Sequence, residues 1–166
     1  SRPPSIGLLG EWTNQPEIWG APDAKMSWRM ANGELVLTYD AGSQYGAGIN
    51  IFGPKLSSLS TGPAFATDLD GYADILLDVT APKGIQLNIV LAEAGAAPPS
   101  TARFDTSAGD DGEAFISVPV YGDGKRATHR LPIKGLIKQP CYGNQRGSSR
   151  IDMQAVRNIG IQASGE

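Results

Sequence analysis

Two alternating runs, five residues apart, constrain this chain more than any other feature. Residues 72–79 read Tyr-Ala-Asp-Ile-Leu-Leu-Asp-Val, and residues 85–91 read Ile-Gln-Leu-Asn-Ile-Val-Leu. In the first run Ala73, Ile75, Leu77 and Val79 share one parity, while Tyr72, Asp74, Leu76 and Asp78 share the other. A strand sends those two sets to opposite faces, one apolar and one mixed. In the second run Ile85, Leu87, Ile89 and Leu91 alternate with Gln86, Asn88 and Val90, which again predicts a half-buried strand. Pro82 removes a ladder N–H and Gly84 tolerates positive φ, so the residues between the runs suit a tight turn. The expectation is an antiparallel hairpin at the spine of a β-sandwich. Its second face gathers Asp74, Asp78, Gln86 and Asn88, more hydrogen-bonding groups than a buried sheet-to-sheet face accommodates.

Further alternating runs extend the pattern. Asn32-Gly33 is a strong hairpin turn and predicts two strands over residues 28–40. Residues 45–52 put Ala47, Ile49 and Ile51 on one side and Gly46, Gly48, Asn50 and Phe52 on the other. Glycines on that second side admit something close, either a ligand or a neighbouring loop. Residues 114–121 predict one strand, Gly122-Asp123-Gly124 a turn, and residues 128–133 a strand with His129, Leu131 and Ile133 inward and Arg130 outward, beside Asp74 and Asp78. Residues 158–163 close the fold with Ile159 and Ile161 inward and Gln162 outward. The chain has 21 glycines and 12 prolines in 166 residues, against an average near ~12% for the two types together. Spread between short apolar runs, they predict many turns. Eight to ten strands with few or no helices point to an all-β sandwich of two antiparallel sheets, a jelly roll. Residues 1–4 read as a linker remnant and 5–166 as a single domain.

Charge and special residues narrow the function. A net charge of −3 with 14 Lys and Arg, and no basic stripe, argues against nucleic-acid and anionic-membrane surfaces. No segment approaches the ~20 apolar residues of a bilayer span. Cys141 and His129 are each the only residue of their type, which excludes an internal disulfide, a cysteine zinc cluster and a multi-histidine site. Asp74 and Asp78 share a face but stand about 13 Å apart along a strand, too far for a glycosidase carboxylate pair. Asp105, Asp110, Asp111 and Glu113 form an acidic stretch that suits either calcium or a solvated loop.

Large aromatics in turn-rich stretches are the positive signal. Trp12, Trp19 and Trp28 lie among glycines and prolines; Trp28 suits the core, while Trp12 and Trp19 suit either the ends of the sandwich or sugar stacking. Tyr121 and Tyr142 fall at strand ends or loops, and Gln145 lies in a polar loop over 138–150. An aromatic plane beside amides and charged groups matches a sugar ring, which has a C–H face and a fringe of hydroxyls.

Three ordered segments carry a family resemblance. Asp68-Leu69-Asp70-Gly71-Tyr72-Ala73-Asp74-Ile75, Thr128-His129-Arg130-Leu131-Pro132-Ile133 and Ile151-Asp152-Met153 through Ile159-Gly160-Ile161 resemble strands of jelly-roll carbohydrate-binding modules of the galactose-binding-like superfamily, including the family 11 type attached to bacterial endoglucanases. The resemblance implies a concave sheet that binds one glycan chain and a structural calcium near the termini. It also implies a secreted protein whose partners are a β-glucan or related plant cell-wall polysaccharide and a covalently attached glycoside hydrolase. Carried over, it places Asp74, Gln86, Asn88 and Arg130 on the noncore parity, with Tyr121 and Tyr142 where stacking residues stand. The alternatives are a protein-interaction or assembly domain of the same fold and, less favoured, a hydrolase.

Overall fold

The computed structural model describes residues 16–52, 67–93, 112–140 and 149–165. Trp12, Cys141, Tyr142, Gln145 and the acidic residues 105–111 lie outside the described residues, as does the 1–4 remnant. The rest is an all-β sandwich with eleven strands among the described residues. One layer is a seven-stranded antiparallel sheet in the order β1 (Glu17–Gly20), β4 (Ala47–Phe52), β11 (Val156–Gly165), β6 (Ile85–Glu93), β7 (Ala114–Ile116) and β10 (Ile137–Lys138). β8 (Val120–Tyr121) pairs with β6 as well. The opposing layer consists of two ribbons, β2 (Lys25–Ala31) with β3 (Glu34–Asp40) and β5 (Asp74–Thr80) with β9 (Arg126–Pro132).

One core holds the layers together. Ile85, Leu87, Ile89 and Leu91 of β6 pack with Ile51, Phe115, Leu131 and Ile159, and Met26, Leu35, Tyr39, Ile75, Leu77 and Val79 close on them from the ribbons. Burial of such side chains stabilises each by roughly 1.5–3 kcal/mol, so the period-two pattern is the main source of the fold. The Asn32-Gly33 turn forms as expected, with φ of 53° and 75°, and sets β2 and β3 in register from Lys25–Asp40 to Ala31–Glu34.

The expected 72–91 hairpin is corrected. β5 pairs with β9, from Asp74 opposite Pro132 to Thr80 opposite Arg126, whereas β6 lies between β11 and β7 in the other layer. Two half-apolar strands can pair edge to edge or face each other across a core, and alternation alone fits both arrangements. The turn does form, with Gly84 at φ 90° and Ile85 N–H donating to the Pro82 carbonyl at 3.3 Å. It acts as an arch between layers. Residues 114–121, expected as one strand, break into β7 and β8 at Ser117–Pro119, where the Ser117 hydroxyl accepts the Ile89 N–H at 3.0 Å. β1, inside the tryptophan-rich stretch, and the short β10 are strands that the alternation did not predict.

Candidate functional site

Register defines the outward face of the seven-stranded sheet, because cross-strand partners project to the same side. Ile18, Ile49, Ile161 and Ile89 form one row, and Ile89 points into the core. The neighbouring row must therefore face outward: Trp19 opposite Gly48, Gly48 opposite Gln162, and Gln162 opposite Asn88. Two residues along, Ser164 stands opposite Gln86 and Gln86 opposite Tyr121. Polar side chains of β11 and β6 thus form a floor between Trp19 on β1 and Tyr121 on β8.

Two glycines shape that floor. A Cβ at Gly48 would collide with the indole Cζ2 of Trp19 and sit 2.6 Å from its Cε2, so the ring lies across β4 in the space a side chain would fill. The indole Nε1–H donates to Asn50 Oδ1 at 3.2 Å. Asn50 has room for this because Gly160 beside it also lacks a Cβ, which would come within 2.8 Å of that same oxygen. The glycine face of β4 therefore receives an aromatic ring of the protein itself. Sequence reasoning offered a ligand or a loop; the signal it lacked was the pairing of Trp19 with Gly48.

Tyr45 and Tyr121 mark the margins, 52% and 64% exposed. Tyr45 donates its hydroxyl to the Gly20 carbonyl at 3.4 Å, which sets it beside the end of β1. Its own carbonyl accepts Gln162 Nε2 at 2.7 Å. Tyr121 stands opposite Gln86, about 15 Å from β4 at ~4.8 Å per strand step. Tyr45, Asn50 and Gln162 were not among the expected site residues, although Gln162 was predicted to face outward. Arg157 is buried in the same sheet; burial lowers its pKa and the charge of Glu17 opposes that shift.

The other expected residues divide between the layers. Gln86 and Asn88 share the outward face, but Asn88 is buried. It donates to the Ser117 carbonyl at 3.0 Å and accepts Gln86 Nε2 at 3.1 Å, so its amide holds the corner between β7 and β8. Asp74 and Arg130 lie on the opposite layer and pair at 2.9 Å, beside each other as expected yet on a different sheet from Gln86 and Asn88. Asp78 accepts a two-pronged contact from Arg126, at 3.0 and 2.7 Å, and that guanidinium holds the Asp78 carboxyl below its ordinary pKa. Trp28, expected in the core, shares the parity of Leu37 but remains 39% exposed.

The remaining acids have structural partners. Glu113, the one described member of the acidic stretch, pairs with Lys138 at 3.3 Å. Glu93 accepts the Asp152 N–H at 2.7 Å; burial, chiefly, raises its pKa. Among the described residues no group of three or more His, Cys, Asp or Glu is placed to hold a metal ion.

The outward face is thus an aromatic platform beside side-chain amides, on an all-β sandwich whose fold recurs in solved structures. The chain is similar to the Family 11 Carbohydrate-Binding Module of cellulosomal cellulase Lic26A-Cel5E of Clostridium thermocellum, at 13% identity and TM-score 0.62, over 91% of this chain and 79% of that one. It is also similar to the Family 11 Carbohydrate-Binding Module from Clostridium thermocellum in complex with a β-1,3-1,4-mixed-linked tetrasaccharide, at 14% identity and TM-score 0.64, over 91% and 81% of the two chains. At such identities the likeness is one of fold. No family model matches the sequence, and no curated protein matches it.

Proposed function

We propose that this domain is a noncatalytic carbohydrate-binding module that takes a β-glucan chain across the outward face of the seven-stranded sheet. The observation that carries the reading is the Trp19 indole laid over Gly48 and tied to Asn50. A ring fixed in this way offers a preorganised plane to a sugar's C–H face, at little cost in side-chain freedom on binding. Gln162 and Gln86 supply amides and Tyr121 a second aromatic group along the same rows, matching the ring-and-hydroxyl alternation of a glycan. The β-glucan assignment draws support from the mixed-linked tetrasaccharide bound by one structural neighbour.

In this reading the module is secreted and joined to a glycoside hydrolase. Tethering raises the effective concentration of the catalytic partner at the polysaccharide. Affinity electrophoresis of the domain in gels containing β-glucan, xyloglucan, xylan, mannan or no polysaccharide tests this. Selective retardation by β-glucan is the expected result. Equal mobility in every gel would overturn the soluble-glycan reading and favour a protein partner or an insoluble glycan, which a cellulose pull-down separates.

A further inference from the structure

The opposite layer carries a cleft of different chemistry. At the start of β5 and the end of β9, Tyr72, Asp74, Arg130, Ile133, Lys134 and Arg150 line a cavity of about 490 Å³, within the ~300–1,000 Å³ of small-molecule sites. Arg130 and Lys134 stand there against the one carboxylate of Asp74, on a chain whose net charge is −3. The local sign is therefore inverted. Clefts lined by one sign of charge concentrate ligands of the other.

The cleft also has a defined geometry. Asp74 is only 23% exposed and holds Arg130 Nη2 at 2.9 Å, while the Arg130 side chain is 72% exposed. That contact fixes the guanidinium and leaves the rest of its N–H fork open among the described residues. Lys134 is exposed in the turn of 3-10 helix Ile133–Gly135 that follows β9. Tyr72 and Ile133 are partly buried against the core and give the cleft an apolar wall.

Cations beside an apolar and aromatic wall fit a ring that bears a carboxylate, since guanidinium binds planar carboxylates well and the wall suits C–H faces. We propose that this cleft is a second glycan site, one that takes a uronic-acid residue of an acidic polysaccharide through Arg130 and Lys134, with its ring against Tyr72. The choice of a sugar as the carboxylate's carrier rests on the glycan-binding reading above; the cleft itself uses no residue of the Trp19 face.

Calorimetric titration of the full chain tests both sites separately, with trigalacturonate, its neutral methyl ester, inorganic sulfate and a mixed-linked β-glucan tetrasaccharide as probes. Trigalacturonate should bind at low salt and weaken several-fold at about 0.3 M NaCl, as screening requires. The methyl ester and sulfate should bind at least about tenfold more weakly, because each lacks either the charge or the ring. Lys134→Glu, an exposed substitution, should weaken trigalacturonate about tenfold or more and leave the β-glucan probe unchanged. Trp19→Ala should do the reverse. The proposal is overturned by absence of trigalacturonate binding, by equal binding of the ester or of sulfate, or by an unchanged Lys134→Glu. Binding of the β-glucan probe alone would sink this proposal and spare the Trp19 face, and binding of trigalacturonate alone would do the opposite.

Discussion

The indole of Trp19 rests on Gly48, its cross-strand partner, in the space where any other residue would carry a Cβ. Gly48 does not need positive φ, so its role is to permit this close approach. Gly48→Ala should expel the ring and press on the Ile161 carbonyl, which a Cβ would approach to 2.9 Å. The expected costs are about 1–3 kcal/mol of stability and about tenfold in glycan affinity, or ~1.4 kcal/mol. Urea unfolding and calorimetric titration would measure them.

Glu93 gives a pH dependence with a definite sign. Its pKa in the folded protein is raised above the ordinary 4.5, mainly by burial. The protonated form is thus favoured by folding, and its contribution is full below the unfolded pKa and lost as pH rises through the folded value. Glu93→Gln keeps an oxygen for the Asp152 N–H and removes the buried charge. The variant should match the parent in thermal stability below about pH 4 and melt at higher temperature at pH 7. Melting curves across that range would show the gap opening.

Exposure predicts opposite outcomes for two apolar residues. Phe115 is fully buried and Leu76 is 65% exposed on the outer face of β5. Phe115→Ala should cost about 3–5 kcal/mol through the cavity it leaves, whereas Leu76→Lys should change stability by no more than ~0.5 kcal/mol. Denaturant midpoints for the two variants check the sandwich directly.

Much of this fold was legible in the alternation of apolar residues. Ile85, Leu87, Ile89 and Leu91, and Ile75, Leu77 and Val79, all face the core as their parity requires. Parity reports which side is buried and carries no information on which strand lies alongside, so it fits a β5–β6 pair as well as the observed arrangement, in which the two strands sit in different layers. The same gap scattered the site. Gln86 and Tyr121 meet as cross-strand partners, while Asp74 and Arg130 pair with each other on the opposite layer. Asn88 looked available by its parity, but the corner at Ser117 takes up its amide. Trp19 stood out by its type alone; its platform became visible only once Gly48 and Asn50 were seen across the strands, about 30 residues away in the chain.

The most direct test of the central claim is calorimetric titration of the domain and of Trp19→Ala with a mixed-linked β-glucan tetrasaccharide, alongside a melting curve for each. Trp19 is partly exposed at the outward face, so the variant should fold. The account predicts binding by the parent and a loss of about tenfold or more in the variant, in line with ~1 kcal/mol or more for a stacked aromatic contact. Absence of binding by the parent, or equal affinity in a folded Trp19→Ala, would contradict it.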